Sequence, residues 1–276
     1  MKNPPNSKTN LDRAIQRFAG SSIVANELRV LMANTIVAQL IGQGVVKGGS
    51  GLKFRYGDAA SRVTLDLDTA WNSSLDSFLK DIKSKLTSGW NGFDGYVVVQ
   101  KQATPRGIPF EYVMQPCDVK LNYKGTPWFT VKMEISHNEI GNADEIEMIS
   151  PSETIIKLFD FLCLPQPGAV PVMKLEFQIA QKLHGCSASG SKRAHDLIDL
   201  QLILQRGDID LGKTAAICRR LFVYRNTHSW PPVVEKGELW DKVYSAQKLD
   251  LPILQTVEEA IEWANNLIKK VDDFHQ

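Results

Sequence analysis

The stretch Val45–Asp68, VVKGGSGLKFRYGDAASRVTLDLD, constrains this chain more than any other. An apolar lead, Val45-Val46, runs into Gly48-Gly49-Ser50, small residues whose backbone N–H groups can approach phosphate oxygens closely. Lys47 stands one position before that turn, either as a further phosphate contact or as a surface lysine at a strand end. Downstream, Arg62-Val63-Thr64-Leu65-Asp66-Leu67-Asp68 alternates apolar and polar residues and reads as a strand. Residues two apart on a strand share a face, so Asp66 and Asp68 project together. Neighbouring carboxylates repel unless positive charge lies between them, and a divalent cation is the usual occupant. A turn suited to a triphosphate, followed by a metal-holding pair, is the minimum equipment for nucleotidyl transfer. The ordinary alternative is a common glycine turn and a chance Asp-x-Asp on an exposed strand.

The 276 residues, 43% hydrophobic and 23% charged, suffice for one large or two modest globular domains. No apolar run approaches the roughly 20 residues that span a bilayer, and MKNPPNSKTN lacks the apolar core of a secretory signal. Cys117, Cys163, Cys186 and Cys218 are scattered without a CxxC pair or zinc spacing, which predicts thiols in a reducing cytoplasm. The net charge of +1 is unevenly divided: residues 1–70 and 171–228 each carry nine Lys/Arg against five Asp/Glu, and the other two blocks are acidic. Both positive blocks hold the chemistry-bearing motifs, which suits a site receiving polyphosphate and an RNA backbone.

Apolar spacing predicts helices over Leu11–Phe18 and about Ile23–Gln43, the second stopped by Gly42-Gln43-Gly44. Ser73-Ser74 offers a cap for a helix near Leu75–Leu86. Three strands are predicted at Tyr96–Val99, Phe110–Leu121 and Trp128–Ile135, with Gly125-Thr126-Pro127 as the turn between the last two. His137–Met148 reads as an acidic loop, with Asn142-Ala143-Asp144-Glu145 as solvated surface, and Ser150-Pro151-Ser152-Glu153 as a helix start. Leu164-Pro165-Gln166-Pro167-Gly168 resembles a hinge. Beyond it, helices are predicted at Val172–His184, from Ser191 through Leu204, at Leu211–Tyr224, Leu239–Lys248 and Thr256–Val271. Arg206, Lys213, Arg219, Arg220 and Arg225 are either contacts for RNA phosphates or ordinary surface.

Gly-Ser, a spacer and Asp-x-Asp, in that order, resemble the signature of the nucleotidyltransferase superfamily that includes polymerase-β-like enzymes. Lys182-Leu183, followed by Arg193-Ala194-His195-Asp196-Leu197-Ile198-Asp199-Leu200, is similar to two motifs of the AbiEii/AbiGii toxins. These are Lys-Leu, then Arg-x-(Lys/Arg)-Asp-x-x-Asp-Leu, and the family forms the toxin half of type IV toxin–antitoxin and abortive-infection systems. His195 departs from the pattern where the family usually has a base, which puts that position's phosphate contact in doubt. The resemblance covers most of residues 40–205.

It implies an α+β fold: a polymerase-β-like mixed sheet with helices over residues 1–165, then a helical domain over 166–276 that completes the active site. It implies that Lys182 and Asp196 meet the nucleotide opposite Gly49-Ser50 and Asp66/Asp68. It also implies a third carboxylate on a later strand, for which Glu134 is best placed and Asp118 and Glu111 compete. Mg²⁺ would be held by Asp66 and Asp68 with Glu134; Lys47, Gly49, Ser50 and Lys182 would bind the nucleoside triphosphate; and Asp196 would orient the lysine or accept a proton. In the structural alternative Lys182 is solvated, and Asp196 and Asp199 merely favour a helix N-terminus.

The implied activity is transfer of nucleotides to the 3′ acceptor end of tRNA, blocking translation. The implied partner is a separate antitoxin, commonly a winged-helix regulator. The rival readings are a small-molecule or protein hydroxyl as acceptor, a silent nucleotide-binding module, and a plain interaction protein.

Overall fold

The computed structural model describes residues 3–57, 61, 62, 64–104, 113–247 and 251–274. Two compact units emerge. The first comprises Met1–Arg55, Leu65–Asn138 and Ile146–Val172; the second comprises Tyr56–Thr64, Glu139–Glu145 and Met173–Gln276. The predicted boundary at 165/166 falls in the connection before a strand that still belongs to the sheet.

In the first unit, α1 (Lys8–Ala19) and α2 (Ser22–Ala38) precede β1 (Gly44–Val46), α3 (Gly48–Tyr56), β2 (Leu67–Trp71) and α4 (Leu75–Ser88). Then come β3 (Phe93–Val99), β4 (Gln115–Tyr123), β5 (Thr126–Ser136), β6 (Ile146–Ile149), α5 (Glu153–Phe161) and β7 (Val170–Met173). The strands form one sheet in the order β3-β4-β5-β2-β1-β7-β6. It is mixed: β2 runs parallel to β5 and β1 parallel to β7, while β1–β2, β3–β4 and β4–β5 are antiparallel. Ser74 caps α4 by accepting the Ser77 N–H at 3.2 Å, and the helix buries Phe78, Leu79, Ile82 and Leu86. Lys124 and Gly125, with φ of +49° and +75°, form the two-residue β4–β5 turn. Positive φ at both positions matches the twist of the strands, so Pro127 lies inside β5 rather than in the turn.

Four predictions about elements need correction. The strand expected over Arg62–Asp68 begins only at Leu67. Its partners explain this, for β5 pairs with Leu67–Ala70 and β1 with Thr69–Trp71, and Leu65 is 63% exposed. Val63, like Glu111, lies outside the described residues. α2 ends at Ala38, before the glycines. The residues Val172-Met173, expected to open a helix, close β7, whose four residues are all buried. A short apolar run fits a buried strand and a buried helix equally well. Ile146–Met148, the end of the expected loop, belongs to β6.

The second unit is helical: α6 (Leu175–Ser187), α7 (His195–Arg206), α8 (Leu211–Arg225), α9 (Trp240–Gln247) and α10 (Val257–Asp272). Asp210 caps α8, and Thr256 with Glu259 forms a capping box on α10. The segment Glu139–Glu145, of which Asn142–Glu145 reads as solvated surface in the sequence, is fastened down along these helices. Asn142 and Ala143 are buried, Glu139 pairs with Arg225 at 2.6 Å, and Arg220 donates to the Ile140 carbonyl at 2.8 Å. Glu145 accepts from Lys174 at 2.8 Å and from Lys213 at 2.6 Å, and these two ammonium groups hold its carboxyl down to about 2. Arg219 is taken by Asp272 at 3.1 Å. The basic residues of α8 therefore serve the unit's own acids and carbonyls. At the end of α6, His184 Nε2 and His228 Nδ1 each meet Thr227 Oγ1 at 3.0 Å, while Arg225 reaches His184 Nδ1 at 3.2 Å. Burial pushes His184 down to about 3, so this chain of contacts holds α6 with a neutral imidazole.

Candidate active site

The sheet unit supplies a glycine turn and carboxylates. β1 passes directly into α3, so Gly48-Gly49-Ser50 is the first turn of a helix, with its backbone N–H groups at the positive end of the helix dipole. Gly48 sits at φ +62°, and a Cβ there would collide with Asp68 Oδ2, so both conformation and space call for glycine. The Lys47 N–H donates to the Asp68 carbonyl at 2.9 Å. The Ser50 hydroxyl donates to the Asp66 carbonyl. These contacts clasp the turn to the Asp-x-Asp segment. The Ser50 hydroxyl proton is thereby used within the fold.

Asp68 is half-buried on β2, whereas Asp66 is exposed one residue before the strand. Asp68 and Glu134 are direct partners in the parallel β2–β5 register. Neighbouring strands lie about 4.8 Å apart and partnered side chains share a face, so two carboxylates stand side by side. The register is reinforced next door, where Thr69 Oγ1 donates to the Glu134 carbonyl and Ser136 Oγ to the Thr69 carbonyl, each at 3.1 Å. The competitor Asp118 is held by Lys132 at 2.7 Å and by Lys120 at 3.2 Å. The Lys132 hydrogen bond outweighs burial and keeps its carboxyl below the usual range. Hard oxygen donors in a pair fit Mg²⁺. Among the described residues no three His, Cys, Asp or Glu side chains gather into a metal cluster; of the expected Asp66, Asp68 and Glu134, the register pairs Asp68 with Glu134, and Asp66 lies one residue before β2.

The helical unit supplies a buried ion network. Lys182 on α6 is only 3% exposed, and its Nζ reaches Asp199 Oδ2 at 2.5 Å and Asp196 Oδ1 at 3.3 Å. Both aspartates are fully buried on α7. The reading of a solvated Lys182 is thereby excluded. Each aspartate is gripped from its other side by an arginine: Arg193 Nε lies 2.5 Å from Asp196 Oδ2, and Arg62 Nε lies 2.9 Å from Asp199 Oδ1. Burial alone would raise the Asp196 carboxyl, but Lys182 and Arg193 outweigh it and hold the group well below the carboxylate range. His195, 3.7 Å from Asp196, is pushed down to about 4, by burial first, and is a neutral imidazole near neutral pH. The motif position that departs from the family pattern thus carries no charge there.

The expected Lys182 and Asp196 stand together in this network, and Glu134 stands beside Asp68. Arg193 and Asp199 belong to the quoted motif, but nothing in the sequence gives them these partners, and Arg62 carries no motif. Arg62 and Asp199 lie 137 positions apart, and no spacing rule joins them.

Comparison with known proteins bears on what this equipment does. The profile of a family described as "Nucleotidyl transferase AbiEii toxin, Type IV TA system" matches residues 29–267. No curated protein matches the sequence. Among solved structures, the chain is similar to the nucleotidyltransferase toxin MenT4 from Mycobacterium tuberculosis, with a TM-score of 0.54 and 16% sequence identity over 96% of this chain and 99% of that one. At that identity the likeness shows a shared fold.

Proposed function

Because the chain belongs to the AbiEii family of type IV nucleotidyl transferase toxins, we propose that it transfers nucleotides from a nucleoside triphosphate to the 3′ acceptor end of tRNA, halting translation. The observation that carries this reading is the Asp68–Glu134 pair in register beside the helix N-terminus at Gly48. Asp68 and Glu134, with Asp66, would hold Mg²⁺, which when bound supplies the positive charge that balances the phosphates. The backbone N–H groups of Gly49 and Ser50 would face phosphate oxygens, with Lys47 as a further contact. Lys182 would grip the triphosphate and Asp196 would keep that ammonium oriented. The acceptor hydroxyl attacks the α-phosphorus, the bond to pyrophosphate breaks, and the hydroxyl proton leaves to a nearby base or to water.

A second reading, transfer to a small-molecule or protein hydroxyl, draws support from α8. Lys213, Arg219, Arg220 and Arg225 all bind internal partners there instead of forming a free stripe for RNA phosphates. Sequencing of tRNA 3′ ends from bacteria expressing wild type or Asp68→Ala tests the first reading. Added nucleotides with the wild type alone support it; unchanged ends, with labelled nucleotide entering protein or a small molecule, favour the second. The antitoxin would be a separate winged-helix regulator and the compartment the cytoplasm, where Cys117, Cys163, Cys186 and Cys218 stay as the free thiols observed. No helix among the described residues is long and apolar enough to cross a membrane.

A further inference from the structure

We infer that Arg62 is a positioning residue that sets how much of the Lys182 charge is available to a nucleoside triphosphate, an inference that rests on the reading of Lys182 as a phosphate contact. The geometry is a shared carboxylate. Asp199, fully buried, gives Oδ2 to Lys182 at 2.5 Å and Oδ1 to Arg62 at 2.9 Å. Asp196 is shared in the same way between Lys182 and Arg193. Within this group three cations face two carboxylates, and Lys182 stands between the acids with an arginine behind each.

Arg193 is half exposed, its side chain 52% accessible, whereas that of Arg62 is only 13% accessible. Its charge is therefore weakly screened by water, and Asp199 feels it strongly. Removing Arg62 lowers the local charge by one and leaves Asp199 to be satisfied by Lys182. The ammonium is then held and neutralised by acids that were previously shared. A polyphosphate competing for that ammonium loses affinity, although Arg62 need not touch it. Arg62 and Asp199 must accordingly be matched: taking away both restores the balance that taking away Arg62 destroys.

Calorimetric binding of each of the four ribonucleoside triphosphates in Mg²⁺ tests this without an acceptor. The variants are Lys182→Met, Arg62→Met, Arg62→Lys, Asp199→Asn and the double variant Arg62→Met/Asp199→Asn. Arg62→Met is expected to weaken the bound nucleotide about tenfold, Arg62→Lys to stay within about threefold of wild type, and the double variant to regain most of the loss. Asp199→Asn alone should bind as tightly as wild type or tighter. A residue that only stabilises the fold would lower the unfolding midpoint and the competent fraction without changing Kd, and Asp199→Asn would then rescue stability alone.

Wild-type affinity in Arg62→Met alongside weakened Lys182→Met overturns the role of Arg62 and leaves Lys182 as the phosphate contact. Wild-type affinity in both overturns the Lys182 reading and the Arg62 inference with it. Should Arg62→Met fail to fold, the double variant decides: affinity near wild type upholds the inference, and affinity as weak as Lys182→Met overturns it.

Discussion

The sheet and the helical unit meet the problem of concentrated charge in opposite ways. On the sheet, Asp68 and Glu134 stand as like charges side by side, with Asp66 exposed just before the strand. In the helical unit, Lys182, Asp196 and Asp199 are buried and already paired with opposite charges. The first sets like charges on adjacent strands, whereas the second matches each carboxylate to cations of its own unit. Activity without stability should therefore reside on the sheet, and activity coupled to stability in the helices.

Substitutions can break or sharpen that contrast. The largest effect is expected at Asp68: Asp68→Asn should cost about a hundredfold or more in nucleotide transfer, with the denaturation midpoint nearly unchanged because relief of like-charge repulsion offsets any lost contact. A clear loss of stability in that variant would erase the distinction. Next, Lys182→Met leaves two buried carboxylates short of a partner and should cost about 3–5 kcal/mol in chemical denaturation besides its loss of activity.

Acid offers a third probe. Glu145 is held at about 2 by Lys174 and Lys213, below its ordinary 4.5, so its contribution is fully present above pH 4.5 and fades as pH falls toward 2. Stability measured over that range should fall in the wild type, and Glu145→Gln should flatten part of the decline. The smallest effect is expected at Ser50. Ser50→Ala removes the hydrogen bond to the Asp66 carbonyl and should lower stability by about 1 kcal/mol, with a modest fall in transfer as the Asp-x-Asp segment loosens.

What the sequence revealed follows from how far apart the cooperating residues are. Gly48, Ser50 and Asp68 lie within one strand–helix–strand passage, where turn chemistry and alternation operate over a few residues. Glu134 was found because alternation in Trp128–Ile135 placed it on a face, although only the register with Asp68 shows what stands beside it. Asp66 was set in the strand because alternation reports a repeating pattern and not where pairing partners begin. Val172-Met173 reads as a helix start because a short buried apolar run satisfies either period, whereas the two residues close β7. Asn142–Glu145 reads as solvated because its acids are plain in the sequence, while the partners of Glu139 and Glu145 come from Lys174, just before α6, and from α8. Arg62 was invisible for the same reason.

A crystal structure with Mg²⁺ and an unreactive nucleoside triphosphate tests the central claim most directly, namely that sheet carboxylates and helical lysine serve one nucleotide. Metal is expected on Asp68 and Glu134, with phosphate oxygens at the N-terminus of α3 and Lys182 Nζ within hydrogen-bond reach of the same triphosphate. A triphosphate bound by the carboxylates with Lys182 still enclosed by Asp196 and Asp199, and beyond reach of any phosphate, would contradict it.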